Sequence, residues 1–305
     1  MRIARPIYLI DGSTAITVDV WAMLVASRTG DIATIRQFLA SDPRLATAQY
    51  DYAMPLHMAV IGGHVDAVRL LLDAGGIDPT AHTHPFQIPL ATVADERGFT
   101  EVADLLRAAI ADSSLHREWK DAGRIERGFD AEHTRFQDAV DQGQRNEVAS
   151  MLATRPSLAT DADMFWGEGV LAMPVKDGDF EMADLLMRHG ARVPGLSKWG
   201  KEYYFKRLDG AQFLLERGMN PHHQTWRGVT LLHDMAWTAQ AEKASLLLDH
   251  GADMHAIDGE FQSTPLGLAA RWGREDVIQL LLDRGADPKR AGAPWATPVA
   301  WAERH

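Results

Sequence analysis

The chain has 305 residues, of which 46% are hydrophobic, and its formal net charge is −11 at pH 7. It contains no cysteine, which excludes disulfides, thiolate zinc sites and thiol nucleophiles. No apolar run approaches the length of a membrane span, and an acidic chain without a basic stripe does not suit nucleic-acid binding. We therefore expect a cytoplasmic protein with no nucleic-acid partner, no membrane partner and no cofactor.

A segment of about 33 residues recurs along the chain. Each copy combines a Thr-Pro-Leu-like start, two helical stretches separated by glycine, and a Gly-Ala-Asp-like turn. The clearest copy is TPLGLAARWGREDVIQLLLDRGADP at 264–288, and successive copies begin at Thr230, Thr264 and Thr297. The copies lie at 54–79, 88–110, 169–193, 197–221, 230–254 and 264–288.

These motifs resemble ankyrin repeats, and the resemblance covers about residues 20–110 and 131–305. It implies an all-α ankyrin-repeat solenoid, in which helix pairs stack and short hairpin-like fingers project between them. The copy at 197–221 departs most from the pattern, because KWGKEYYFKR replaces the first-helix signature. We expect irregular structure in that copy. The abundance of arginine and alanine is typical of a bacterial protein.

A second similarity, between residues 27–47 and 140–160, indicates that the solenoid starts twice. Two starts predict an N-terminal ankyrin lobe at 1–112, a helical linker at 113–130 and a C-terminal lobe at 131–305. The alternative is one continuous arc with an unusual middle unit. The C-terminal lobe should end in a half-repeat, with Trp301 packed on the second helix of the preceding copy and only partly covered.

The predicted binding surface is aromatic. In ankyrin stacks, partners contact the fingers and the two residues before the glycine that ends the first helix. Those positions carry an aromatic side chain in nearly every unit, including Trp237 and Trp272 on the helices. The alternative is that each finger aromatic packs on its neighbour and only stiffens it. The predicted binding residues are Tyr50, Tyr52, His82, His84, Phe86, Trp166, Tyr203, Trp226, Trp237, Phe261, Trp272 and Trp295.

The histidines point mainly to structure. The resemblance gives His57 and His233 structural roles, in which each bonds its own turn and the adjacent repeat. His82-Thr-His84 is similar to a metal-binding pair, but two imidazoles are too few for a zinc site. The residues that the sequence offers as further ligands for such a site are Asp51, Asp163 and Glu168. We predict no metal.

Carboxylates also lie beside the finger aromatics. A carboxylate held against a ring in a closed groove can have a raised pKa and act as a general acid or base. The alternative is that these are solvated hairpin residues, and no phosphate loop, nucleophile elbow or HExxH motif accompanies them. The catalytic candidates are Asp163, Glu168, His223, Asp258 and Glu260.

Two functions therefore remain open from the sequence. The first is a binding module that recognises a protein or peptide partner through an aromatic-rich concave groove, and the acidic net charge favours a basic partner surface. The second is an enzyme or small-molecule binder with an aromatic-lined pocket between the fingers, acting on a sugar-like or aromatic substrate. We favour the binding module.

Overall fold

The fold is built from helix pairs in two compact units, Met1–Arg127 and Gly128–His305, each with its own hydrophobic core. Within the described part of the chain, no helix is both long enough and apolar enough to span a bilayer. The computed structural model describes residues 6–8, 14–50, 52–83, 86–117, 131–161, 164–193 and 200–305.

The first unit begins with a short antiparallel ribbon, β1 (Pro6–Tyr8) and β2 (Thr14–Ile16), which is the only sheet among the described residues. Helices follow in pairs, and the first helix of each pair packs on the first helix of the next, as the second helices also do. The helices are α1 (Thr17–Thr29), α2 (Ile32–Ser41), α3 (Pro55–Gly62), α4 (Val65–Gly75), α5 (Leu90–Glu96) and α6 (Thr100–Ala111).

The second unit repeats this arrangement at its C-terminal end, where the last three first helices lie side by side and the last three second helices do the same. Its core runs through all the pairs from Phe136 to Ala286. The helices are α7 (Ala131–Asp141), α8 (Arg145–Thr154), α9 (Met164–Gly167), α10 (Ala172–Asp177), α11 (Phe180–Arg188), α12 (Gly200–Tyr203), α13 (Leu208–Glu216), α14 (Leu231–Trp237), α15 (Ala241–Asp249), α16 (Pro265–Arg271), α17 (Glu275–Asp283) and α18 (Pro298–Arg304).

The repeated threonines start the last three first helices of the second unit, which are α14, α16 and α18. Thr264 and Thr297 each accept a backbone N–H from three residues ahead, at 3.3 and 3.1 Å, which satisfies one of the unpaired donors at a helix start. Thr230 and His233 cap each other reciprocally, and His233 Nε2 lies 3.2 Å from the carbonyl oxygen of Ser263 in the next repeat. The structural role predicted for His233 is confirmed.

The two similar sequence segments fold alike. Helix α2 corresponds to α8, and the 3₁₀ turn Pro43–Thr47 corresponds to Pro156–Thr160, both at the spacing of the sequence match. Each turn begins at a proline, whose fixed φ suits the first position of a helix.

Two regions differ from a simple repeat. Residues 113–117, assigned to the linker from the sequence, pack on the first unit, where the N–H of Ile77 donates to the carbonyl of Leu115 at 2.9 Å. The rest of the predicted linker, 118–130, lies outside the described residues. In the degenerate copy the first helix, α12, is only four residues long, and the buried side chains of Tyr204 and Phe205 follow it.

The C-terminal half-repeat packs differently from the sequence prediction. Trp301 is fully buried, and its indole N–H donates to Ser263 Oγ at 2.8 Å. Its ring meets Phe261 and Trp295 edge to face, and α18 packs on α16. The prediction that Trp301 would lie partly covered on the second helix was wrong, because a first helix stacks on the first helix before it.

This packing predicts that Trp301→Ala destabilises the protein by about 3–5 kcal/mol, because it opens a large cavity and removes the indole N–H that donates to Ser263 Oγ. Val299→Ala is the matched control, since Val299 lies on the same helix with 42% of its surface exposed. It should change stability by no more than about 0.5 kcal/mol. Urea unfolding measures both, and equal losses would show that Trp301 is not a core residue.

His233 predicts a pH dependence. Burial lowers the pKa of its imidazole below the ordinary 6.5, so the unfolded chain binds the proton more readily than the folded one. Its contribution to stability is therefore present above pH 6.5 and is lost as the pH falls below it.

Urea unfolding on both sides of that pH should show a weaker pH dependence for His233→Asn than for the parent protein. The exposed His250 provides the control, because His250→Asn should keep the parent pH dependence. An unchanged slope in His233→Asn would contradict the assignment.

Candidate functional site

Aromatic rings form a continuous series across three repeats of the second unit. Trp237 and Trp272 have ring centroids 5.8 Å apart, and Phe261 lies 5.7 Å from Trp272. The ring centroid of Trp301 lies 6.3 Å from that of Phe261 and 5.8 Å from that of Trp295, so Trp301 connects these two rings. Each distance falls in the range where aromatic pairs attract one another beyond the effect of buried area.

Part of this series reaches the surface. Trp237, Trp272 and Trp295 are half-buried, whereas Phe261 and Trp301 are buried beneath them. Trp226, on the preceding finger, is 37% exposed. We call the four accessible side chains, Trp226, Trp237, Trp272 and Trp295, the aromatic surface.

A buried arginine lies at the centre of the series. Arg271 is only 7% exposed, and its guanidinium carbon lies 4.2 Å from the ring centroid of Trp272. The same carbon lies 4.8 Å from Phe261 and 5.3 Å from Trp301. A planar cation stacked on rings away from water is held by cation–π attraction, which strengthens with desolvation.

The finger at 258–263 is fixed by a single carboxylate. Asp258 is fully buried and accepts backbone N–H groups from Glu260 at 2.7 Å, Phe261 at 2.6 Å and Ser263 at 3.0 Å. Charge-assisted hydrogen bonds of this kind are stronger than neutral ones. These bonds hold the finger in the conformation in which the Phe261 ring is buried.

Neighbouring fingers are joined by a buried ion pair. Arg227 donates to Glu260 at 2.8 Å, with 11% and 0% of their side-chain surfaces exposed. The N–H of Gly259 donates to the carbonyl of Arg227 at 2.6 Å, and a Cβ at 259 would lie 2.7 Å from that oxygen. Buried ion pairs are costly to desolvate, so this pair is better explained by a need for one defined geometry than by stability.

Comparison with known proteins identifies the repeats. The model described as "Ankyrin repeats (3 copies)" matches residues 201–291, and the model "Ankyrin repeat" matches residues 52–84. Protein PhlB of Serratia liquefaciens is 30% identical over 162 residues, which cover 50% of this chain and 70% of PhlB. The chain belongs to the ankyrin-repeat family.

Other relatives match over shorter shares of their length. Palmitoyltransferase Hip14 of Drosophila melanogaster is 36% identical over 76 residues, 25% of this chain and 12% of Hip14. Ankyrin repeat and SOCS box protein 16 of Homo sapiens is 32% identical over 158 residues, 47% of this chain and 35% of that protein. The chain thus spans well under two thirds of the length of these two relatives.

Not all predicted finger aromatics are accessible on the ankyrin fingers. Phe86 is 3% exposed and Phe261 is fully buried, so neither ring lines a groove as predicted. Burial of a Phe side chain is worth a few kcal/mol, and both fingers fold with the ring inward. The sequence prediction was wrong for these two side chains.

The other predicted binding residues are dispersed. Tyr50 and His82 are exposed and Tyr52 is half-buried, all in the first unit, whereas Tyr203 is half-buried beside the core of the second. His84 lies outside the described residues, and only the backbone of Trp166 is described, in α9. Within the described residues, no group of three or more His, Asp or Glu side chains is placed to hold a metal ion.

The catalytic candidates that the structure describes are mostly buried within the fold. Asp258 and Glu260 are buried in finger contacts and are therefore not the solvated hairpin residues of the alternative interpretation. Glu168 is buried, and its backbone carbonyl accepts a hydrogen bond from the hydroxyl of Tyr204. Burial and the nearby charge of Glu168 raise the pKa of the Tyr204 hydroxyl. His223 is half-buried, and Asp163 lies outside the described residues.

The sequence analysis missed the two arginines. Arg227 follows Trp226 on its finger, and Arg271 precedes Trp272 at the end of its helix. The available signal was an arginine directly beside an aromatic residue, at a position where contact with a partner was expected. Only the fold shows that both arginines turn inward.

The Asp258 contacts predict that Asp258→Asn lowers stability by about 2 kcal/mol, because an amide NH₂ then faces buried N–H donors. Asp253→Asn is the control, since Asp253 is exposed and accepts a single N–H, from His255 at 2.8 Å. Its amide keeps an acceptor oxygen and should cost little. Urea unfolding of both variants decides, and equal costs would contradict the structural role of Asp258.

Proposed function

We propose that the second unit binds a protein or peptide partner through the aromatic surface. Ankyrin repeats have a protein-interaction role in general, and this family membership supports the class of function. The observation that carries the finer proposal is the series of accessible tryptophans at Trp237, Trp272 and Trp295, held over buried rings and a buried guanidinium.

The chemistry of these side chains suits recognition. Tryptophan combines a large apolar area with an N–H group, and it dominates the small set of interface residues whose truncation costs most. Rings already fixed by packing lose little conformational freedom when a partner binds, so more of the contact energy becomes affinity.

Charge contributes less at this surface than the net charge suggested. Arg227 and Glu260 pair with each other, and Arg271 is buried among the rings. Asp234 accepts the indole N–H of Trp237 at 3.2 Å. Apolar anchors in the partner are therefore the expected main contacts, while the basic partner surface expected from the sequence stays a prediction.

A peptide library displayed on phage and selected on the parent protein tests the proposal. Selected peptides, synthesised with a fluorescent label, should bind Trp237→Ala and Trp272→Ala roughly 30-fold more weakly, since truncation of an aromatic hot spot costs about 2 kcal/mol. Trp226→Ala should weaken binding in the same direction. Fluorescence polarisation gives the affinities, and circular dichroism checks the helices.

Phe180→Ala is the matched control. Phe180 is a half-buried aromatic of the same unit, but it lies on the second helix α11, stacked on Phe213 at 4.7 Å. Peptide affinity should survive this change. If the three tryptophan variants bind like the parent, or if only Phe180→Ala loses affinity, the aromatic surface is not the binding site.

A further inference from the structure

Arg271 occupies a position that recurs in the second unit. It ends helix α16, directly before Trp272, and Arg304 ends α18 at the same distance from its capping threonine. The guanidinium carbon of Arg304 lies 4.8 Å from the Trp301 ring, and its Nη2 donates to the carbonyl of Trp295. Two successive first helices thus end in an arginine that stacks on tryptophan.

The two arginines differ in burial. Arg304 is exposed, whereas Arg271 is 7% exposed and contacts the rings of Trp272, Phe261 and Trp301 together. Removing a guanidinium from water is costly, so a buried one needs strong compensation. Stacking on three ring faces provides part of that compensation, and it also restricts the orientation of each ring.

We propose that Arg271 is a positioning residue, which holds the Trp272 ring in the orientation that the partner contacts. The inference rests on the proposed function of the aromatic surface. Arg271 itself is too buried to offer the partner much contact area. Its effect on binding therefore passes through the Trp272 ring. Without Arg271 that ring would have more conformational freedom, and this freedom would have to be lost when the partner binds.

The residue type matters because guanidinium and ammonium groups are not equivalent. Lysine keeps the charge but has no planar group to stack, and methionine keeps much of the apolar length but has no charge. Arg271→Met should therefore have the larger effect and Arg271→Lys a smaller one in the same direction. Arg217→Met is the control, because Arg217 stacks on Phe213 at 3.6 Å in the same unit, away from the aromatic surface.

The first measurement needs no partner. The protein, labelled with 5-fluorotryptophan at its nine tryptophans, gives ¹⁹F resonances, of which Trp272 is assigned by its loss in Trp272→Phe. Arg271→Met should shift and broaden the Trp272 resonance, while that of Trp21, in the first unit, stays unchanged. Arg217→Met should leave both resonances as they are.

The second measurement uses the selected peptides. Arg271→Met should weaken their binding about tenfold, which is the order expected from one desolvated cation–π contact. Arg217→Met should bind like the parent. A Trp272 resonance that changes without any loss of affinity overturns the proposal, because the ring is then ordered for folding alone.

An unchanged Trp272 resonance in Arg271→Met also overturns the proposal. If that variant loses its helical circular dichroism, Arg271→Lys takes its place, and parent-like resonance and affinity in Arg271→Lys overturn it equally. Failure of the proposed function is seen separately, because Trp237→Ala and Trp272→Ala would then leave peptide affinity unchanged while the ¹⁹F spectra still report the effect of Arg271 on the ring.

Discussion

The structure depends on one constraint, which is that a single helix pair cannot bury its own apolar face. Each pair covers the next, so first helices pack on first helices from α1 through α3 to α5, and again from α14 through α16 to α18. This stacking brings α14, α16 and α18 together, so side chains that are distant in sequence become neighbours. The ring series from Trp237 to Trp295 is a direct result.

Within that frame, the second unit places several charged groups in its interior. Asp258 and Glu260 are fully buried, and Arg227 and Arg271 nearly so. Such groups are expensive to desolvate, and their hydrogen bonds and stacking depend on exact placement in a way that apolar contacts do not. They fix the fingers and rings in one arrangement, and a fixed arrangement is what a recognition surface needs.

The repeat fold could be predicted from the sequence because its signals are local. The threonine caps, the glycine breaks and the role of His233 follow from a few adjacent residues. The direction of a finger aromatic could not be predicted in the same way. Trp226 lies four residues before its capping threonine and is 37% exposed, whereas Phe261 lies three residues before its own and is buried. Asp258 holds the second finger through three backbone N–H groups, one of them that of Phe261.

The arginines show the same limit. From the sequence, a charged residue beside a tryptophan is expected to lie on the surface. The stacking of three repeats is what surrounds Arg271 with aromatic rings. Trp301 was also misplaced, because Phe261 and Ser263 of the preceding repeat supply part of its environment. Long-range packing decided each of these cases.

The aromatic surface is proposed as the face that a partner contacts, and a crystal structure of the protein with a selected peptide bound is the sharpest test of that proposal. We expect peptide atoms in van der Waals contact with Trp237 and Trp272, with Arg271 still stacked beneath Trp272. A peptide seated on the second helices α11, α13, α15 and α17, with these tryptophans uncovered, would contradict it.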